Sequence, residues 1–284
     1  MMPQEPTPAA IRILEALVEY QYLNNSLVEM LGIATKRTAR DKLFPTLLGR
    51  GLVACRKFGF VHGRGSIEHL YGLTAAGARF VAEMWGDDSD SIPVPRDLQI
   101  VRQDHDHRLA LIMVHIRLAQ WIEQIDGQLI AFDRYFGRVP NPEPHRRSLV
   151  SATTIFHRDG KLTPDAIAKF EAGGSTRLVA IEIHHNERTG RIIEQLEGYL
   201  PAIREHAFNV RYQHLTPPFV LSVFDKLGAL KATKARFLAH PELSKIKGGF
   251  LFSSLAAVRD GIAGGWHYAD DAPAPMFKAA ADAA

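Results

Sequence analysis

The chain has 284 residues, 46% hydrophobic and 23% charged, with a formal net charge of +3. That length allows about two domains with cores of their own. The one cysteine, Cys55, excludes an internal disulfide, and the longest apolar run, 109–122, is too short and too interrupted by His115 and Arg117 to span a bilayer.

The opening residues lack the basic and apolar regions of a signal peptide, so a cytoplasmic protein without a membrane partner is expected. Residues 8–85 read as one unit. "PAAIRILEALVEYQYL" carries Ile11, Leu14, Leu17 and Val18 at helical spacing, with Pro8 suited to a helix start. In "SLVEMLG", Ser26 and Glu29 have capping-box spacing and Gly32 is a natural stop. "KRTARDKLF" predicts a third helix, with Ala39 and Leu43 facing inward and Lys36, Arg37 and Arg40 outward. Pro45 should end or kink it. Two strands, "LVACRKF" and "EHLYGLT", flank a glycine-rich tip, and "TAAGARFVAEMW" predicts a closing helix.

Between residues 36 and 65 eight basic residues stand against one acid, Asp41. Three helices followed by a basic hairpin is the layout of a winged helix-turn-helix, in which the third helix enters the DNA major groove and the wing touches phosphates. Lys36, Arg37, Arg40, Lys42, Arg56, Lys57, His62 and Arg64 are therefore the expected DNA contacts.

Residues 86–100, acidic and proline-containing at their start, read as a linker. The second domain, 101–268, starts with the helix "DHDHRLALIMVHIRLAQWIEQI". It continues with a strand at "LIAFDRYFGR", a hairpin at 163–185, the helix "RIIEQLEGYL" and strands at "PFVLSVFD" and "GGFLFSSL". That order predicts an α/β sheet domain, so the whole chain is expected to be α+β. Residues 269–284 read as a disordered tail.

The hairpin "TPDAIAKFEAGGSTRLVAIEIHH" carries the chemistry. A turn at Gly173–Gly174 sets Asp165 directly opposite Glu182, with their Cβ atoms roughly 5 Å apart. His184 shares that face because strand side chains alternate. The other face, with Ala166, Ala168, Phe170, Val179, Ile181 and Ile183, reads as core, and the acid face is expected to be open. Two carboxylates so close repel each other unless a cation relieves them, and a hard divalent ion such as Mg²⁺ suits oxygen ligands. Solvated acids on an exposed sheet edge are the plainer alternative.

"TPDAIAKF…LVAIEIHH" resembles the Pro-Asp…(Asp/Glu)-x-Lys signature of restriction-endonuclease-like nucleases. The resemblance makes Asp165 and Glu182 metal ligands and puts His184 in the place of the lysine. Gln195 and Tyr199 match the Gln-x-x-x-Tyr pattern of one branch of that fold, and Asp133 is a candidate third acid. From "LLGRGLV", "HLYGLTAAG", "DHDHRLAL" and "PDAI…AIEI", the chain from 8 to 255 resembles the replication-relaxation family of plasmids and mobile elements. The resemblance implies a winged helix joined to a nuclease-like domain, a role in DNA relaxation, mobilisation or replication, and relaxosome or replication proteins as partners.

The expected activity is Mg²⁺- or Mn²⁺-dependent nicking of DNA, with Asp165, Glu182, His184, Gln195 and Tyr199 as the catalytic set. Double-stranded DNA is the partner of the first domain, and nicked or single-stranded DNA that of the second. Arg146, Arg147, Arg158 and Lys161 flank the acid face and would guide that second stretch. Attack by Tyr135 or Tyr199 rather than water stays open. No Cys-x-x-Cys or His-Glu-x-x-His motif occurs, so zinc is not expected. The alternative function is a catalytically silent origin- or operator-binding protein.

Overall fold

A computed structural model describes residues 6–61, 65–95, 98, 102–142 and 148–274. The fold is α+β with a mixed sheet. The chain divides into two compact units, 1–116 and 117–284, and the division falls inside a helix rather than in the stretch 86–100.

In the first unit, α1 (Pro8–Tyr20) is capped by Thr7, whose hydroxyl accepts from the Ala10 amide, and Pro8 sits in the first turn where its missing N–H is harmless. Helix α2 (Asn25–Met30) is capped by Asn24, whose Oδ1 accepts from the Leu27 amide at 2.8 Å. The anticipated Ser26–Glu29 box does not form. Ser26 donates through its amide and hydroxyl to Glu68, and Glu29 accepts from the Lys36 amide. A tertiary carboxylate has outcompeted the local cap.

Helix α3 (Lys36–Thr38) passes through a π-helical turn, Ala39–Leu43, into α4 (Phe44–Gly49). Pro45 thus re-registers the helix instead of ending it: the wider turn comes just before it, and Pro45 then lies in the first turn of α4. Strand β1 (Val53–Arg56) follows, then the short pair β2 (Phe60–Val61) and β3 (Gly65–Ser66). Strand β4 (Leu70–Leu73) pairs antiparallel with β1, and α5 (Ala75–Trp85) starts from a Thr74 cap. Ile13, Leu14, Leu17, Phe44, Leu47 and Val81 form the core of this unit.

Helix α6 (Arg102–Gln124) crosses the unit boundary. Within the second unit come β5 (Gln128–Arg134) and two small hairpins, β6 (Arg138–Pro140) with β7 (Leu149–Ser151) and β8 (Ile155–His157) with β9 (Gly160–Leu162). Then follow β10 (Ala166–Ala172), β11 (Ser175–His184), α7 (Thr189–Glu197), α8 (Tyr199–Arg204), α9 (Ala207–Tyr212), β12 (Phe219–Phe224), α10 (Leu227–Ala239), β13 (Phe250–Ser254) and α11 (Leu255–Asp260).

The central sheet has the order β13-β12-β11-β10-β5, with β11, β12 and β13 parallel and β10 antiparallel to both its neighbours. Gly173 and Gly174 both have positive φ, as a two-residue hairpin turn requires, and the register follows with Ala166 opposite Ile181.

Both faces of the sheet are buried. On one face Trp121 of α6 meets Phe170 edge-on, with ring centroids 5.9 Å apart. On the other, α7, α8, α9 and α10 bring Ile192, Leu196, Tyr199, Phe208 and Phe237 onto Ile167, Ala180, Val220 and Phe250. Each such side chain, fully buried, contributes about 1.5–3 kcal/mol relative to exposure. The acid face expected to be open is therefore a covered one. Parallel strands with helices on both sides read as continuous apolar runs, which is why alternation on the hairpin misjudged this face.

Residues 269–274, the start of the expected tail, fold back onto the sheet through a bridge between His267 and Pro273. Among the described residues no helix is long and apolar enough to cross a membrane.

Candidate functional site

The hairpin register carries Asp165 beside Glu182, as the spacing implied. The two meet closely enough for Asp165 Oδ2 to accept the amide of Ile183 at 2.7 Å. Asp165 is half-buried, whereas Glu182 has 0% exposure. From above, α7 and α8 reach down onto Glu182. Gln195 donates through Nε2 to Oε2 at 2.5 Å, and the Tyr199 hydroxyl donates to Oε1 at 2.5 Å. Their spacing of four puts both on one helical face, and the chain stays helical through Gly198 between α7 and α8.

Burial and the charge of Asp165 push the Glu182 carboxyl well above the usual range, and the Tyr199 hydroxyl only partly opposes this. Tyr199 is itself fully buried, and burial beside Glu182 raises its own pKa well above normal. That environment suits a hydrogen-bond donor that anchors Glu182, and it is a poor one for an ionised tyrosine nucleophile.

His184 lies two residues along the same face at 2% exposure. Its ring packs against Phe224 at 4.6 Å and its Nδ1 is 3.2 Å from Glu187 Oε2. The Nε2 atom is buried without a hydrogen-bond partner, and so is the hydroxyl of Ser222, which pairs with Glu182 across β11 and β12. Ser222 was missed in the sequence. Its signal was a single hydroxyl inside the apolar strand "PFVLSVFD".

Asp133 does not join the acid pair. It pairs with Ile167 across β5 and β10 and accepts the Tyr212 hydroxyl at 2.8 Å. Tyr135, just past the end of β5, donates its amide to the Asp165 carbonyl. Among the described residues no group of three His, Cys, Asp or Glu side chains converges as a metal site.

The residues nevertheless fit a small hard cation in kind. Each Glu182 oxygen accepts one side-chain hydrogen bond, while a carboxylate oxygen offers two lone pairs. The neighbouring carboxylate and two buried orphaned polar atoms on the same face mark a place short of polar partners, where an ion or water belongs.

In the first unit, Arg37, Arg40, Lys42, Arg56 and Lys57 are exposed. The Arg37 side chain is 88% exposed and lies 3.6 Å from Asp41, which also takes a 2.7 Å bond from Arg40 Nε. Lys36 is partly neutralised by an ion pair with Glu68. His62 and Arg64 lie outside the described residues, as do Arg146 and Arg147.

No protein-family model, no curated protein and no solved structure matches this chain.

Proposed function

We propose that this is a DNA-binding protein of the replication-relaxation type, acting in the relaxation, mobilisation or replication of a plasmid or mobile element. In this reading the first unit is a winged helix-turn-helix docking on duplex DNA. The second is a restriction-endonuclease-like domain that nicks one strand with Mg²⁺ or Mn²⁺. The observation that carries it is the meeting of Asp165, just before β10, with Glu182 of β11, onto which Gln195 of α7 and Tyr199 of α8 both donate. Three residues from two separately weak patterns surround the Glu182 carboxylate: Gln195 and Tyr199 donate to it and Asp165 stands beside it.

Asp165 and Glu182 would hold the cation, which supplies a Lewis acid for the phosphodiester and a more acidic bound water. Gln195 and Tyr199 orient Glu182, and the contact of His184 Nδ1 with Glu187 holds the imidazole ring, leaving Nε2 buried without a partner. Exposed cations along α3 and its π-helical extension supply the sequence-independent affinity for phosphates.

The supporting experiment is conversion of supercoiled plasmid to the open circle in Mg²⁺ or Mn²⁺. Cleavage that survives combined Asp165→Ala and Glu182→Ala substitution would overturn the site. A second reading, a silent origin- or operator-binding protein, is favoured by one observation: Glu182 is wholly sequestered and His184, in place of the lysine, is 2% exposed. It predicts salt-dependent DNA binding with no cleavage in any divalent ion.

A further inference from the structure

A cleft of about 780 Å³ opens between the hairpins β6–β7 and β8–β9 of the second unit. Its chemistry is unlike that of the acid pair. Phe156 and Lys161, which line it, are direct cross-strand partners, so an aromatic ring and an ammonium stand on one face with Cβ atoms roughly 5 Å apart. Arg158 lines the same cleft, and neither it nor Lys161 has an ion-pair partner among the described residues. His157, also in the lining, has a buried Nδ1 with no hydrogen-bond partner. Across the cleft Leu149 leaves 53% of its surface exposed, and Asn141 adds an amide. Among the described residues no acidic side chain lines it, and Glu205 accepts the backbone amide of Arg158 at 2.7 Å, leaving the guanidinium itself unpaired there.

We infer that this cleft binds single-stranded DNA, with a phosphate at Arg158 and Lys161 and a base against Phe156 and Leu149. Base stacking on an aromatic ring needs a base free of its duplex neighbours, and aromatic rings interleaved with cations are how single strands are held without sequence preference. The volume is that of a small-ligand site, enough for about one or two nucleotides and too small for a duplex.

The chain leaves the cleft along β9 and reaches Asp165 four residues after Lys161, at most about 13 Å along an extended backbone. Thr153, just past β7, donates its hydroxyl to the Pro164 carbonyl, tying the cleft wall to the segment that carries Asp165 into β10. A strand seated in the cleft thereby lies close to Asp165, the acid of the pair that keeps some exposure. The inference deepens the DNA-processing reading of the second unit and rests on it.

The test is fluorescence anisotropy of the full chain with labelled oligo-dT and with a labelled duplex, over a range of salt. Phe156→Leu should lower the ratio of single-strand to duplex affinity about tenfold. Arg158→Ala with Lys161→Ala, both at exposed positions, should lower the log–log salt slope for oligo-dT by about 1.4, the loss of two single-strand phosphate contacts. Unchanged oligo-dT affinity and slope in these variants, with duplex binding present, would overturn the cleft and leave the DNA-binding reading standing. Failure of the unsubstituted chain to bind either probe would overturn both.

Discussion

Tyr199 donates its hydroxyl to Oε1 of Glu182 at 2.5 Å, and neither side chain retains any solvent-exposed surface. A buried carboxyl without such a partner would be strongly unfavourable. Tyr199→Phe keeps the ring, which stacks 6.0 Å from Phe208 and meets Phe250 edge-on, and removes only the hydroxyl. It should cost about 1–3 kcal/mol in urea unfolding, with an unchanged m-value. A loss below about 0.5 kcal/mol would show that the bond does not anchor Glu182.

The acidity of Glu182 gives a pH signature. Its carboxyl is pushed well above the usual range by burial and by Asp165, whereas in the unfolded chain it titrates near about 4.3. A group whose folded pKa is raised adds stability that is full below the unfolded pKa and is lost as pH climbs towards the folded one. With divalent ions chelated, the thermal midpoint of the wild type should fall as pH rises from about 4.3, and Glu182→Gln should remove that part of the slope. Parallel pH profiles in the two proteins would contradict the assignment.

Two glycines make opposite forecasts. A Cβ at Gly77 of α5 would sit 2.0 Å from the Leu52 carbonyl oxygen, so Gly77→Ala should force the helix away and cost about 1–3 kcal/mol. At Gly49 of α4 a Cβ meets nothing within 4 Å and φ is not positive, so Gly49→Ala should be neutral or gain up to about 1 kcal/mol. Thermal unfolding of both variants checks the pair, and equal effects would argue against the packing of α5 on Leu52.

For DNA binding, Arg37 and Lys42 are exposed cations on the segment from α3 into its π-helical turn. Replacing both with alanine should weaken duplex affinity and lower the log–log salt slope by about 1.8, or about 0.9 per lost phosphate contact. An unaltered slope would remove this segment from the interface.

Much of the site was legible because local rules governed it. Gly173–Gly174 demanded positive φ, and that alone fixed which residue of β10 faces which of β11. Gln195 and Tyr199 shared a face by helical period, and β11 ran directly before their helix. What covers Glu182 was not legible, because the helices that bury it depend on packing between segments distant in sequence. The period-2 pattern of the hairpin is the same whether its second face meets water or α7–α9.

Similar competition explains the smaller departures. Asn24 and Ser26 can both cap α2, and Glu68, forty-two residues from Ser26, captured the serine. Asp133 shared a strand with Tyr135, and only the fold revealed that Tyr212 of α9 holds its carboxylate. Ser222 carried a signal, a hydroxyl amid apolar residues, but its place beside Glu182 needed the parallel pairing of β11 and β12.

The most direct measurement is a titration of the metal-free protein with Mn²⁺, followed by the loss of the free-ion electron paramagnetic resonance signal. One Mn²⁺ per chain should bind the wild type, competed by Mg²⁺, and binding should vanish when Asp165→Asn and Glu182→Gln are combined. A wild type that takes up no Mn²⁺, or a double variant that binds it equally well, would contradict the shared-cation site.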